Sequence, residues 1–205
     1  MIKIDYKKEL KHLYLPSAKE VSLLEVPAMN FLMIDGSGNP NTSEEFQKAT
    51  EALYGVAYTL KFGLKKKGVG PDFTILPLEG LWWMEGRDDF DTEDKDNWSW
   101  TLMIMQPEHI TNAQVEEAKE ELKVKKNPPA LSQIRFENYH EGLSVQILYI
   151  GPYSEEGSTI EMLHRYAEEK GYNLHKKHHE IYLGDPRRTK PENLKTVIRQ
   201  PVIKE

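Results

Sequence analysis

Glu180 and Tyr182 put a carboxylate and a phenol two residues apart within the run His178-His179-Glu180-Ile181-Tyr182-Leu183-Gly184-Asp185-Pro186-Arg187. Alternation predicts a strand, with Ile181 and Leu183 on one side and His178, Glu180 and Tyr182 on the other, broken by the Gly-Asp-Pro turn. With Ile181 and Leu183 packed on helices, Glu180 and Tyr182 are expected on the opposite face of a sheet. There the pair could bind a ligand or protonate it. The competing reading is a half-buried antiparallel strand whose polar side simply meets water.

Other chemistries have weaker support. His164, His175, His178 and His179 invite a metal, but His175 and His178 are an odd number of positions apart on a regular strand, and His179-Glu180 opens no His-Glu-x-x-His helix. Neither a metal nor a cofactor is expected. The Asp35-Gly36-Ser37-Gly38-Asn39-Pro40 turn has Asn41 where a dinucleotide loop has its third glycine, and no P-loop lysine follows. Gly-x-Ser-x-Gly is absent, so no nucleophile elbow is marked. Glu180 has no evident acidic partner for glycoside cleavage, since Glu79 or Glu85 would have to lie at a separation that sequence does not give. The acidic stretch from Asp88 to Asp96 lacks the turn glycine and closing glutamate of a calcium loop and reads as a solvated hairpin loop.

Positioning Glu180 and Tyr182 requires a framework, which the chain supplies in two similar passes. Residues 1–18 form a basic N-terminal appendage with Tyr6, Leu10 and Leu13 at near-helical spacing. Val21 to Ile34 holds strands. Thr42 and Glu45 form a capping box for a helix with the stripe Phe46, Ala49, Leu53, Val56, Leu60 and Leu64, ended by Gly68-Val69-Gly70-Pro71. Tyr54, Tyr58 and Phe62 form a second stripe, either core rim or ligand wall. Strands then run through Leu81-Trp82-Trp83-Met84 and Trp98 to Gln106. All four tryptophans lie on this hairpin, so it is either a thick core or a ligand platform.

A capped helix over 111–125 and the stiff Asn127-Pro128-Pro129 connect to the second pass. There, strands flank Glu141-Gly142, Ser158 and Glu161 cap a helix through Leu163, Tyr166 and Ala167, Gly171 stops it, and the Glu180 strand and a last strand follow. Both passes read strand, glycine turn, helix, strand, strand, and close on Gln-Pro, at Gln106-Pro107 and Gln200-Pro201. The expected fold class is therefore α+β: duplicated βαββ units, about 19–107 and 130–204, forming one curved antiparallel sheet. Both long helices are expected on one face and a ligand groove on the other, the whole of 19–205 being a single domain. The Trp82-Trp83 pair and the Glu180-x-Tyr182 pair would stand across the pseudo-twofold axis, and alternation alone leaves open which tryptophan faces the groove.

A formal charge of -6 with pI near 5.7 argues against a nucleic-acid surface. With no cysteine, disulfides and thiolate chemistry are excluded. No signal-peptide run and no membrane-spanning stretch is read, which makes a cytoplasmic protein the expectation.

Asp35-Gly36 after an apolar strand, Leu78-Glu79-Gly80-Leu81-Trp82-Trp83, Gln146 to Tyr153, His179-Glu180-Ile181-Tyr182-Leu183-x-Asp185-Pro186-Arg187 and Arg199-Gln200-Pro201-Val202 together resemble the GyrI-like small-molecule-binding proteins. The resemblance covers nearly the whole chain. It implies paired βαββ (SHS2-type) units around a hydrophobic groove, with the family's acidic groove residue matching Glu180 and Tyr182 beside it. The family includes drug-sensing domains of transcription activators, a gyrase inhibitor, and proteins that hydrolyse the cyclopropane ring of DNA-alkylating cyclopropanoids. No helix-turn-helix is read, and the double tryptophan and stand-alone length resemble the hydrolase branch.

The implied ligand is a flat aromatic small molecule, bound by a monomer or homodimer. Catalysis would fall to Glu180 and Tyr182, and ligand contact to Trp82, Trp83, Trp100, Tyr54, Tyr58, Tyr149 and Met103. Two other roles remain open beside cyclopropanoid hydrolysis: sequestering flat or cationic drugs with Glu180 as counter-charge, and interaction with gyrase.

Overall fold

The computed structural model describes residues 3–87 and 94–204. Most of the acidic loop read from Asp88 onward lies outside the described residues. In chain order the elements are β1 (Lys3–Ile4), α1 (Tyr6–Glu9), α2 (Lys11–Tyr14), β2 (Ser22–Val26), β3 (Met29–Ser37), α3 (Glu44–Lys67), β4 (Asp72–Phe73), β5 (Leu78–Met84), β6 (Trp98–Gln106) and α4 (Asn112–Lys125). There follow β7 (Arg135–Tyr139), β8 (Gly142–Ile150), α5 (Gly157–Glu169), β9 (Tyr172–Leu174), β10 (His178–Tyr182) and β11 (Lys195–Lys204).

One antiparallel sheet runs β2-β8-β11-β10-β5-β6-β3-β7, with β9 added to the far end of β11. The strand order is symmetric about the β10–β5 pair, with β11 and β8 on one side matched by β6 and β3 on the other. The outermost strands are exchanged. β2 precedes β3 in the chain but pairs with β8, whereas β7 precedes β8 and pairs with β3. Pro27, two residues before β3, lacks the N–H to continue a ladder and marks where the chain leaves one edge for the other.

Cross-strand partners share a face, so the register fixes which side each residue occupies. Trp82 pairs with Trp100 and His178, Gly80 with Leu102 and Glu180, and Glu180 with Ile198. Trp82 and Trp100 pack in a core with Ala49, Leu53, Val56 and Leu60 of α3, while Ile198 packs with Ile160, Leu163 and Ala167 of α5. Both long helices therefore cover the same face, α3 over β3 and β6, α5 over β8 and β11. Glu180 and Tyr182 lie on that helix-bearing face too, not on the opposite one. Ile181 does not pack on helices; it points the other way, into a second core with Leu13, Tyr14, Leu81, Met103 and Val197. The N-terminal segment supplies this second apolar layer. Burial on both sides explains why β6 reads as a nearly continuous apolar run, all nine of its residues being buried.

Helix starts differ from the sequence reading in two places. Ser43, not Thr42, caps α3, its hydroxyl accepting from the Phe46 N–H, and α5 begins at Gly157 behind Glu156 with no side-chain cap, so Ser158 is already helical. The Thr111–Gln114 capping box of α4 is present. Gly68, at φ 69°, closes α3 in the left-handed conformation that favours glycine.

Residues 10–15 are held on the second face by a buried polar network. The Arg199 guanidinium donates to Glu141 Oε2 (3.0 Å), Gln146 Oε1 (3.0 Å) and the Leu13 carbonyl (2.7 Å). Gln146 donates to the His12 carbonyl (2.6 Å), and the Tyr14 hydroxyl to Glu79 Oε1 (2.8 Å). His179 bridges Glu141 Oε1 at 2.8 Å and Glu79 Oε2 at 3.0 Å. Burial opposes charge on both partners, yet His179 and Arg199 hold the Glu141 carboxyl down at about 2, and Glu141 and Glu79 carry the His179 imidazole up to about 9.

These shifts give the network a pH window. The depressed Glu141 stabilises above its ordinary 4.5 and loses that contribution as pH falls toward about 2. The raised His179 stabilises in full below its ordinary 6.5 and loses that contribution as pH rises through about 9. Melting temperature against pH is therefore expected to be highest between 4.5 and 6.5 as far as this network sets it. In His179→Gln the decline on the alkaline side should disappear; a wild-type profile flat from 6.5 to 9 would contradict the ionised bridge.

Candidate functional site

The candidate cleft is the strip of the helix-bearing face between α3, over β3 and β6, and α5, over β8 and β11, where the central strands β5 and β10 lie. From β10 come His178, Glu180 and Tyr182, which the two-residue repeat sets side by side. Glu180 is buried, at 4% exposure. Its Oε2 accepts from the Tyr182 hydroxyl at 2.7 Å, and its Oε1 from His178 Nε2 at 3.1 Å. Tyr153 stands edge-on to Tyr182, with ring centroids 5.6 Å apart, and His164 of α5 edge-on to His178 at 6.4 Å.

From β5 comes Trp82, which shares the face of Glu180 and, like Trp100, is buried in the core under α3, at 2% exposure. Its ring stacks on Phe46 of α3 at 6.1 Å and meets Trp98 edge-on at 5.1 Å. The indole lies over Gly80, the residue directly across from Glu180. A Cβ there would sit 2.7 Å from Trp82 Nε1, so only glycine leaves room for the ring. Trp82 Nε1 is buried and has no hydrogen-bond partner among the described residues.

The other candidate ligand contacts divide. Trp83 points away from the cleft, donating to Glu85 at 2.6 Å, with Lys177 Nζ 3.1 Å from its ring centroid. Trp100 shares the face of Trp82 but is fully buried core, edge-on to Phe46 and wedged over Gly36. Met103 is fully buried in the opposite core, because its position on β6 alternates with those of Trp100 and Leu102. Tyr54 borders the cleft, its hydroxyl accepting from the Leu78 N–H at 3.2 Å, and stacks at 6.2 Å on Tyr58, which is 47% exposed. Tyr149 donates to the Pro152 carbonyl and lines a cavity of about 240 Å³ between β8 and α5, with Ile147, Thr159 and Met162. That cavity does not reach Glu180.

Glu156 is the residue that sequence reading missed. It sits at the start of α5, where an acid reads as ordinary helix-terminus charge. In the fold it is buried near enough to Glu180 for the two charges to interact, so Glu180 does have an acidic neighbour. Burial and the charge of Glu180 push the Glu156 carboxyl up to about 9, against the pull of Lys95. Glu180 itself moves the other way: burial raises it, but the hydrogen bonds from His178 and Tyr182 outweigh burial and leave it below the usual carboxylate range. The expectation that desolvation would raise Glu180 thus applies to its neighbour. Tyr182 is pushed well above the usual phenol range by burial and by Glu180. Two carboxyls with opposed shifts supply an acid and a base in one place.

Gly80→Ala is expected to force the Trp82 indole out of position, costing about 1–3 kcal/mol of stability and weakening any ligand that contacts the indole. Gly36→Ala, which would overlap Trp100, should cost comparable stability without changing ligand binding. Equal loss of binding in both variants would remove Trp82 from the ligand site.

Among the described residues no helix is long and apolar enough to cross a membrane, and no cluster of three or more His, Asp or Glu side chains could hold a metal ion. No curated protein matches the chain significantly. A solved but uncharacterized conserved protein from Listeria innocua is 42% identical, with a TM-score of 0.91 over 98% of this chain and 100% of that one. A protein described as a hydrolase, also from Listeria innocua, is 40% identical, with a TM-score of 0.85 over the same shares. The C-terminal domain of EcmrR shares the fold at 13% identity and a TM-score of 0.59, over 91% of this chain and 98% of that one. The GyrI-like small molecule binding domain matches residues 19–203, so the chain belongs to the GyrI-like family.

Proposed function

We propose that the cleft between α3 and α5 binds flat aromatic compounds and hydrolyses the strained cyclopropane ring of cyclopropanoid genotoxins, a detoxifying reaction. The observation that carries this reading is the buried Glu180 carboxylate, held as an anion by Tyr182 and His178 and paired across the strands with Gly80, over which the Trp82 indole lies. Two solved relatives described as hydrolases, 40% and 42% identical over nearly the whole chain, support it. Glu180 takes a proton from a water, the water oxygen bonds to a ring carbon, and the ring bond to that carbon breaks, its electron pair passing to the far ring carbon and the conjugated group that bears it, which takes up a proton from solvent. Strain lowers the demand on the nucleophile, so a carboxylate-activated water suffices. Tyr182, whose hydroxyl is already engaged on Glu180, positions the base. Tyr54, Tyr153 and Phe46 supply the aromatic walls.

In this reading 19–205 is one domain of two SHS2-type βαββ repeats, about 19–107 and 130–204, with the appendage 1–18 closing the far side. It acts in the cytoplasm as a monomer or homodimer, without nucleic acid. A second reading is a non-catalytic binder of flat cations with Glu180 as counter-charge, favoured by the burial of two carboxyls in one cleft. A time course of cyclopropanoid consumption separates them. Ring-opened alcohol accumulating beyond one equivalent per protein supports the hydrolase, and binding without turnover supports the second reading.

A further inference from the structure

Thr196 of β11 is 0% exposed, and its Oγ1 is buried with no hydrogen-bond partner among the described residues. Two registers set its place: it pairs with Tyr182 of β10 on one side and with Tyr149 of β8 on the other. All three side chains stand on the helix-bearing face, so the short threonine lies between two tyrosines. The Leu183 N–H donates to the Lys195 carbonyl at 2.9 Å, which makes Tyr182 and Thr196 a non-hydrogen-bonded pair, the kind whose side chains stand closer. The turn before α5 reaches both tyrosines. Tyr149 donates to the Pro152 carbonyl at 3.0 Å, and Tyr153 meets the Tyr182 ring edge-on at 5.6 Å. The Tyr182 hydroxyl in turn donates to Glu180 Oε2 at 2.7 Å, so Thr196 adjoins the group that orients the carboxylate.

Buried hydroxyls are normally hydrogen-bonded, and where the protein supplies no partner an internal water does, given about two to four polar groups to hold it. We propose that the Thr196 hydroxyl is the second holder of the water that Glu180 activates, an inference that rests on the hydrolase reading of the cleft. The water gives one hydrogen to Glu180 and the other to Thr196 Oγ1, which leaves its lone pairs free for the ring carbon. Glu180 has room for this bond, because a carboxylate oxygen accepts more than one hydrogen and the protein gives one to each. A carboxylate alone fixes the water at one point, and the hydroxyl adds the second point that orients it. Tyr149 also lines the cavity of about 240 Å³ between β8 and α5, so solvent lies one side chain away from Thr196.

Thr196→Val keeps the shape and removes the hydroxyl, and Thr196→Ser returns it. In steady-state turnover of a neutral cyclopropanoid, Thr196→Val is expected to lower kcat by about 10²-fold, the effect of a misplaced reactant, with KM unchanged. Thr196→Ser should recover most of that loss. Because no protein group takes the hydroxyl as a partner, Thr196→Val should melt no lower than wild type. Wild-type kcat in Thr196→Val overturns the proposal. So does a serine variant as slow as the valine one, or a fall in melting temperature together with loss of both kcat and KM. A crystal structure of the ligand-free protein reads the same site without turnover: a water within hydrogen-bond reach of Thr196 Oγ1 and a Glu180 oxygen is expected in wild type and not in Thr196→Val. No water there overturns the proposal even if cyclopropanoids are hydrolysed. The water in place with no turnover by wild type upholds Thr196 as its holder and sinks the hydrolase reading instead.

Discussion

Glu180→Gln is expected to slow cyclopropanoid hydrolysis by roughly 10²- to 10⁴-fold, the cost typical of losing a general base. Gln fills the same space on β10 and can still accept from Tyr182 or His178 through its carbonyl oxygen, so the cleft keeps its shape. What disappears is the anion. A neutral aromatic ligand should bind with nearly unchanged affinity, because it has no charge for the carboxylate to balance. For a cationic ligand the same substitution should weaken binding, since the counter-charge is gone. Rate and affinity measured together therefore discriminate: a rate loss with binding kept identifies the base, and a binding loss with no turnover in either protein identifies a binder. Wild-type values for both would exclude Glu180 from the site.

Arg199→Met should destabilise the protein by about 3–5 kcal/mol, the cost of taking one partner out of a buried charged network. Arg199 is 1% exposed and binds Glu141, Gln146 and the Leu13 carbonyl at once, so the substitution leaves the Glu141 carboxylate to His179 alone and releases residues 10–15 together. Adding Glu141→Met in the same chain removes the half-compensated charge and should restore part of the loss. Urea unfolding of the single and double variants measures both effects. A double variant less stable than Arg199→Met would show that packing of the N-terminal segment, not uncompensated charge, dominates. Amide exchange at residues 10–15 should accelerate in either case, while exchange in α3 should not.

The order of the longer elements and both helix stripes were legible in the sequence, because period-2 and period-3.6 patterns are local properties, whereas the short β1 and β9 were not read. The identity of the face was not. Ile181 reads as the greasy side of its strand in either orientation. Only the docking of Leu13 and Tyr14, about 170 residues earlier in the chain, decides that this side lies away from the helices. The same holds for the hairpin tryptophans: alternation separates Trp82 from Trp83 but cannot say which faces α3 until the register with β6 and β10 is known. Glu156 was hidden for a different reason. An acid at a helix start is so common on solvated surfaces that its type carries no signal, and its meaning comes from Glu180, twenty-four residues on and across the cleft. His178, by contrast, was marked by the alternation that marks Glu180.

The exchange of β2 and β7 makes the two halves mechanically interdependent. Each half is finished by a strand that belongs in sequence to the other, so neither can satisfy its sheet edge or close its core alone. Severing the chain in the 127–129 connector would yield pieces that recover structure only in each other's presence. The intact protein should unfold in one transition despite its internal symmetry, since no partly folded state retains a complete half. Folding is correspondingly slow to commit: β3 must find β7 about a hundred residues away, and β2 must find β8 at a similar separation, before either edge is sealed.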